Sequence, residues 1–292
     1  MKRIPIILDC DNTMGVAGCD VDDGLTLLFL LGCRNVDLLG VTCAYGNSTQ
    51  EVVYNNTIRL LKEWGREDIP VFRGADNSTD RLSDAAIFMA KAGEMHCGEL
   101  SIIATGSLTN LYGAFEYDNK FYDNIKSISI MGGYTSDLLV GGKLMDELNM
   151  SCDSIASLET LRRGHDIRIA TGQNSLESYF RRDEFDSYLD EKGGPLASYL
   201  KDALDYWFDF YEKEWNCPGF VNWDVMAAVQ LLYPEYMRQV VDVINPDEES
   251  LKRGRLLGDG INIEVCLPEI KNHDEYFNLV YDTWFGAEIS LN

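Results

Sequence analysis

The sequence has few basic residues and no cluster of them. Its 25 Lys and Arg residues compare with 48 Asp and Glu residues, which gives a formal net charge of -23 at pH 7. Proteins that bind nucleic-acid phosphates or anionic membrane surfaces do so through clusters of Lys and Arg. We therefore expect neither a nucleic acid nor a membrane among the partners of this protein.

The sequence also lacks a long apolar run and any CxxC pair of cysteines. Its first apolar run reaches a carboxylate at Asp9, which is too early for a signal peptide or a membrane span, so we predict a cytoplasmic protein. The eight cysteines are scattered, which favours reduced thiols in the core over disulfides. The three histidines, His96, His165 and His273, are isolated from one another, so no zinc site is expected.

No Pro/Ser-rich linker, low-complexity segment or internal repeat divides the chain, so residues 1–292 are expected to form one domain. Strand-like and helix-like patterns alternate, beginning with the strand IPIILDCD and a helix from Asp22. Ser48 and Glu51 form a capping-box pattern that predicts another helix start. This alternation predicts an α/β fold with a mostly parallel, Rossmann-like open sheet and helices on both of its faces. In such sheets, ligands bind at the carboxyl ends of the strands.

Carboxylates are concentrated in residues 6–24, IILDCDNTMGVAGCDVDDG. The stretch contains Asp9, Asp11, Asp20, Asp22 and Asp23, and it is typical of a buried strand, a loop and the start of a helix. Like charges crowded at the end of a strand are costly unless a cation or hydrogen-bond donors offset them. A hard cation bound through oxygen ligands is the simplest remedy, and this many carboxylates favours calcium. The alternative is a helix N-cap with solvated loop charges, since Asp is favoured at helix starts.

The same stretch fits a second type of enzyme. ILDCDNT matches the hydrophobic-DxDxT pattern of aspartate-nucleophile phosphatases, with Asp9 as nucleophile, Asp11 as acid and Thr13 as the third residue. IIATGS, at residues 102–107, could serve as the Ser/Thr motif of that class. The late acidic pair with a preceding Lys is missing, so the phosphatase is the second interpretation.

Five further positions are candidates for ligand contacts. Asn47 follows a strand and can present its amide, although a loop Asn is more often only a turn former. Glu147 and Asn149 suit a vicinal diol, or a polar helix start. Trp223 and Asp224 precede an apolar helix, where Asp can be a cap and Trp can belong to the core or stack on an aromatic ring.

Taken together, these segments resemble the calcium-dependent nucleoside hydrolases of the inosine–uridine-preferring family. The family motif DxDPGxDDA is matched here by Asp9, Asp11, Asp22, Asp23 and Gly24. Its later motifs are matched, in family order and over almost the whole chain, by residues 44–47, 105–110, 131–133, 147–149 and 223–224.

The resemblance implies a nucleoside-hydrolase-like fold and hydrolysis of the N-glycosidic bond of a ribonucleoside to ribose and free base. It implies that calcium is held by Asp11, Asp23, Asp224 and the carbonyl of Thr105, with Asp11 also acting as the general base. It assigns ribose binding to a further set of residues, Asp22, Asn47, Met131, Glu147 and Asn149. It also implies a homo-oligomer, either a homodimer or a homotetramer.

This chain departs from the family pattern in three places. Ten residues, 12–21, replace the three that normally separate the base Asp from the DD pair, and Asp20 among them has no family role. The HGxDGLG-like segment that helps to line the base pocket is absent between Asn47 and Thr105. Trp223 replaces a His that acts on the leaving base, which resembles the purine-preferring branch and favours a purine nucleoside and a role in purine salvage. A binding protein for ribose or nucleosides that has lost turnover is the non-enzyme alternative.

Overall fold

The computed structural model describes residues 2–291. Within them the strands are β1 Ile4–Cys10, β2 Val36–Cys43, β3 Val71–Arg73, β4 Ser101–Ala104, β5 Ser127–Met131, β6 Leu139–Val140, β7 Lys143–Leu144, β8 Ile167–Ala170, β9 Tyr179–Arg181, β10 Gly219–Val221, β11 Met237–Arg238, β12 Val241–Ile244, β13 Ile263–Cys266 and β14 Glu269–Ile270. The helices are α1 Asp22–Gly32, α2 Gln50–Glu63, α3 Asp84–Met95, α4 Thr109–Tyr117, α5 Phe121–Asn124, α6 Ser154–Arg163, α7 Gly172–Ser175, α8 Arg182–Lys192, α9 Gly194–Trp215, α10 Val225–Leu232, α11 Glu248–Leu251 and α12 His273–Phe285.

Eight strands form the central sheet, in the order β12-β13-β8-β5-β4-β1-β2-β3. Every pairing in it is parallel except that of the edge strand β12 with β13. The predicted α/β fold with a mostly parallel sheet is therefore confirmed. The chain proceeds outward from β1 on one side through β2 and β3, and on the other side through β4 and β5. Crevices form at the carboxyl ends of strands where the order reverses in this way, and β1 and β4 lie at that point.

Helices cover both faces of the sheet because the apolar side chains of β1 alternate in direction. Ile6 and Leu8 belong to a core that includes buried residues of α1, α9, α10 and α12. Ile7 belongs to the opposite core, with buried residues of α3, α4 and α6. Trp284 of α12 is fully buried and donates its indole N–H to the carbonyl of Leu25 at 2.9 Å, which ties the C-terminal helix to α1.

Two local predictions need correction. The helix predicted to be capped by Ser48 is capped by Thr49, whose side chain accepts a hydrogen bond from the N–H of Val52, because Thr49 has extended backbone angles and the helix begins one residue later. All eight cysteines are free, but only Cys10, Cys33 and Cys43 are buried, so the prediction of core thiols holds for those three.

No helix in residues 2–291 combines the length and the apolar character needed to cross a lipid bilayer.

Candidate active site

The ends of three neighbouring strands bring the predicted polar residues together. The N–H of Thr105, just after β4, donates to the carbonyl of Asp9 in β1 at 2.8 Å. On the other side of β1, the N–H of Ala44 donates to the carbonyl of Cys10 at 2.8 Å. The parallel register therefore continues beyond the strands and places Asp11, Thr105 and the segment that carries Asn47 side by side.

A cluster of carboxylates lies at these strand ends; we call Asp11, Asp20, Asp22, Asp23 and Asp224 the carboxylate cluster. Asp20 is partly buried, and the other four are at most 3% exposed. One carboxylate oxygen each of Asp20, Asp22 and Asp23 lies within 4.8 Å of the others. In the part of the chain that the structure describes, no Lys, Arg or His forms a salt bridge with any member of the cluster.

Asp11 is held in one orientation by the loop after β2. Its Oδ2 accepts the backbone N–H of Asn47 at 2.6 Å, and the Asn47 side-chain amide lies 3.4 Å from its Oδ1. A Cβ at position 46 would overlap Asp11 Oδ2, so only glycine lets the loop approach this closely.

Asp23 and Asp224 keep carboxylate oxygens without protein partners. Asp23 Oδ1 accepts the hydroxyl of Thr105 at 2.7 Å, whereas its buried Oδ2 has no hydrogen-bond partner. Asp224 stands at the N-cap of α10 but makes no side-chain capping bond. The sequence also allowed Asp22 and Asp224 to be ordinary helix caps. The structure does not show this, because Asp224 makes no capping hydrogen bond and the N-cap of α1 is Val21.

Burial raises the pKa of every carboxyl group in the cluster. Burial and, secondarily, the charge of Asp20 raise the pKa of Asp11 to about 7, and burial followed by neighbouring carboxylates raises the pKa values of Asp22, Asp23 and Asp224 well above the usual range. Several buried acceptor oxygens that lack cationic partners are the donor set that a hard divalent cation requires. The residues present therefore fit such an ion.

Asp9 lies behind the cluster as a support. Its Oδ1 accepts the hydroxyl of Thr42 at 2.7 Å and the side-chain amide of Asn110 at 2.9 Å, and the residue is 0% exposed. Burial raises its pKa to about 7. Asp9 does not line the cavity above the cluster.

A cavity of about 220 Å³ opens above the cluster. Its lining includes eight residues expected from the sequence, Asp22, Asn47, Thr105, Met131, Glu147, Asn149, Trp223 and Asp224. Asp11 and Asp23 are not part of the lining and lie beneath it. The lining also includes Asp20, which the resemblance left without a role, and five residues that the sequence did not single out, Leu138, Met145, Asp146, Leu148 and Gly172. Leu138 and Met145 flank the β6–β7 hairpin, for which the Gly141-Gly142 pair was the only sequence signal.

Asn149 and Glu147 connect two sides of the cavity. The Asn149 side-chain amide donates to the carbonyls of Thr105 at 2.8 Å and Met131 at 3.1 Å, which leaves its carbonyl oxygen as an acceptor. Glu147 accepts backbone N–H groups from Gly133 at 3.0 Å and Met150 at 2.9 Å, and burial raises its pKa. Glu147 therefore fixes the loop around the cavity in addition to facing it.

Trp223 gives the cavity an aromatic wall. Its indole N–H donates to the hydroxyl of Tyr211 at 3.2 Å, so this donor is already engaged within the protein. None of the three histidines lines the cavity. With Leu138, Met145 and Leu148 nearby, this side of the cavity is mainly apolar.

Comparison with known proteins agrees with this geometry. A model of the inosine-uridine preferring nucleoside hydrolase family matches residues 6–277. The chain is 26% identical over 286 residues to the probable uridine nucleosidase 2 of Arabidopsis thaliana, covering 87% of this chain and 85% of the relative. It is 24% identical over 265 residues to a pyrimidine-specific ribonucleoside hydrolase of Salmonella paratyphi B, covering 81% of this chain and 82% of the relative.

Solved structures show the same fold. The purine-preferring ribonucleoside hydrolase from Gardnerella vaginalis matches with a TM-score of 0.81 and 19% sequence identity, over 97% of this chain and 99% of that structure. The residues that the family model matches include β1, the loop of residues 12–21, the residues that line the cavity and α10. The chain therefore belongs to the inosine-uridine preferring nucleoside hydrolase family and is a hydrolase of N-glycosyl bonds.

Proposed function

We propose that the protein is a calcium-dependent hydrolase of ribonucleosides that favours purine nucleosides. The observation that carries this proposal is the carboxylate cluster, which has no cationic side-chain partner in residues 2–291. The adjoining cavity is lined by carboxylates, by side-chain amides and by Trp223. Asp11, Asp23, Asp224 and the Thr105 carbonyl would hold the calcium ion. Bound calcium would offset the carboxylate charge and lower the pKa of a coordinated water.

Asp11 is the proposed general base. It is fixed by the two Asn47 hydrogen bonds, and with calcium bound its carboxylate would be ionised and able to accept a proton from water. Asp11 takes a proton from the attacking water as the oxygen adds to C1′. The bond from C1′ to the base nitrogen breaks, and the base leaves with a proton from solvent.

The ribose would bind above the cluster. Asp22 and the side-chain carbonyl oxygens of Asn47 and Asn149 can accept hydrogen bonds from its hydroxyl groups, since the Asn47 amide nitrogen is already bonded to Asp11 and Asp20. Met131 and Glu147 also line the cavity, and Met131 is in contact with the Asn149 side-chain amide. Holding several hydroxyls at once orients C1′ for attack, which is the main advantage that such a pocket offers.

The leaving base would lie against Trp223. Because the indole N–H is bonded to Tyr211 and no His lines the cavity, Trp223 supplies a surface for stacking, and neither an indole N–H nor a His is available to protonate the leaving base. Stacking contributes about 0.5–1.5 kcal/mol beyond area burial in aromatic pairs. This surface favours the larger purine rings, although relatives in the family carry names for both purine and pyrimidine activities.

Release of reducing sugar tests the proposal directly. Inosine, guanosine, adenosine, uridine and cytidine are each incubated with the protein, with calcium and after its removal. The proposal expects calcium-dependent release that is fastest for a purine nucleoside. Faster release from uridine or cytidine would overturn the base preference, and ribose binding without release from any nucleoside would establish the binding-protein alternative. Phosphate release from p-nitrophenyl phosphate that depends on Asp9 would support the phosphatase.

Substitutions at Trp223 should separate stacking from acid catalysis. Trp223→Phe keeps an aromatic face and should retain kcat/KM for inosine within about threefold, whereas Trp223→Ala should lower it by about tenfold or more. Trp223→His supplies an acid and should raise the ratio of uridine to inosine activity. Steady-state kinetics with both nucleosides provides the measurement. Equal activities for Trp223→Ala and the wild type would exclude a stacking role.

We also propose a cytoplasmic location and a homodimer or homotetramer. Light scattering after gel filtration would distinguish either assembly from a monomer.

A further inference from the structure

The first half of the loop formed by residues 12–21 is fixed against α2. The side-chain amide of Asn56 donates to the carbonyls of Asn12 at 3.1 Å and Met14 at 3.2 Å. Arg59 donates to the same Met14 carbonyl at 2.8 Å. Met14 itself is buried, so this part of the loop is packed into the protein and does not project from it.

The second half of the loop is braced by α9. The hydroxyl of Tyr206 accepts the N–H of Gly15 at 3.4 Å and donates to the carbonyl of Cys19 at 2.9 Å. The hydroxyl of Thr13 lies 3.2 Å from the carbonyl and 3.3 Å from Oδ1 of Asp20, which closes the loop on itself. These bonds determine where the last residues of the loop lie, and Asp20 is among them.

The loop thereby delivers the Asp20 carboxylate to the cavity. Asp20 Oδ1 accepts the Asn47 side-chain amide at 2.9 Å, and the same amide reaches Asp11. One oxygen of Asp20 lies within 4.8 Å of oxygens of both Asp22 and Asp23. Two oxygens bound to one calcium ion at 2.3–2.6 Å can be at most about 5 Å apart, so the three carboxylates can reach a single ion. The buried, unpartnered Oδ2 of Asp23 independently indicates a ligand at this place.

We propose that Asp20 is a direct ligand of the divalent cation, an additional carboxylate that the 12–21 loop places beside Asp22 and Asp23. The inference rests on the proposed function only in taking calcium as the ion. The longer loop then has a chemical purpose: it adds one negative charge and one oxygen to the cation site. Calcium affinity in proteins depends on the number of charged ligands, so this chain should bind the ion more tightly than it would without Asp20.

Metal binding in the absence of substrate tests the proposal. The metal-free full-length protein is titrated with Ca²⁺ by calorimetry as wild type, as Asp20→Asn, and as Asp37→Asn. Asp37 is exposed at the opposite end of β2, so its substitution is the control with the same change in net charge. We expect Asp20→Asn to raise the dissociation constant by about tenfold or more, while Asp37→Asn changes it by less than about twofold. Equal dissociation constants for Asp20→Asn and Asp37→Asn would overturn the proposal.

A second readout distinguishes a direct ligand from a nearby charge. Tb³⁺ replaces Ca²⁺, and its luminescence lifetimes in H₂O and D₂O count the waters bound to the ion. Loss of a direct ligand should add about one bound water in Asp20→Ala, which has no oxygen to replace the carboxylate, because solvent fills the vacant position. A weaker affinity with an unchanged water count would show that Asp20 acts through its charge alone, and would also overturn the proposal.

Two further measurements distinguish loss of metal binding from misfolding and from loss of activity. Near-ultraviolet circular dichroism of the metal-free proteins checks the fold, and Asp20→Ser serves as a second variant with a smaller side chain. A wild type that binds Ca²⁺ but cleaves no nucleoside would refute the proposed function and leave the Asp20 result interpretable. A wild type that binds no Ca²⁺ would refute the inference about Asp20.

Discussion

Replacing Asp11 by Asn is expected to lower kcat for nucleoside hydrolysis by about 10³-fold or more. A side-chain amide has nearly the same shape as the carboxylate but cannot accept a proton from water, and positioned general bases contribute about 10²–10⁴-fold. Asp11 is 0% exposed and is bonded to the backbone N–H of Asn47, so no other carboxylate can move into its place without rebuilding the loop. Initial rates with inosine and uridine, at calcium concentrations that saturate each variant, provide the measurement.

The matched control for Asp11 is again Asp37→Asn, which should keep kcat within about twofold of the wild type because the residue is exposed at the opposite end of β2 from the site. Loss of metal would mimic loss of the base, so calcium binding is titrated in parallel. An Asp11→Asn protein that binds calcium and retains more than a tenth of the wild-type kcat would show that another group is the base.

The sequence predicted the parts of the site that depend on local pattern. The apolar run before Asp9 predicted a buried strand, and the following carboxylates had to lie at its carboxyl end, where ligands bind in parallel sheets. The same reasoning placed Asn47 and Thr105 beside them. The edge strand β12 was not predicted, because its VDVI sequence has only four residues and it joins the sheet through a single antiparallel partner, β13.

The rest of the site depends on contacts between distant residues. Tyr206 fixes the loop after β1 through bonds to Gly15 and Cys19, which are 191 and 187 residues away, and no periodicity in the sequence reports such a contact. Glu147, a predicted ribose ligand, lines the cavity and also accepts the backbone N–H groups of Gly133 and Met150, which no local sequence pattern indicates. The walls formed by Leu138 and Met145 arise from a hairpin too short to give a strand pattern.

Removal of calcium is expected to abolish hydrolysis and to lower the melting temperature. The carboxylate cluster concentrates like charges that no Lys, Arg or His of residues 2–291 offsets through a salt bridge, so a bound cation should stabilise the folded state strongly. A ligand at one hundred times its dissociation constant stabilises the folded protein by about 2.7 kcal/mol. For a chain of this size, that corresponds to roughly 5–10 °C in melting temperature. Thermal melts of dialysed protein with and without added Ca²⁺ measure the difference, and NaCl at the same ionic strength is the control.

The size of this calcium effect should increase with pH. Burial raises the pKa values of Asp9 and Asp11 from the usual 3.8 to about 7 in the folded metal-free protein. The folded state therefore holds more protons than the unfolded state between about pH 4 and pH 7, and its stability falls as the pH rises through that window. Calcium needs the ionised carboxylates, so its binding releases protons and becomes tighter over the same range. The increase in melting temperature caused by Ca²⁺ should be larger at pH 8 than at pH 5.5, and an equal increase at both would show that these carboxyl groups are already ionised in the metal-free protein.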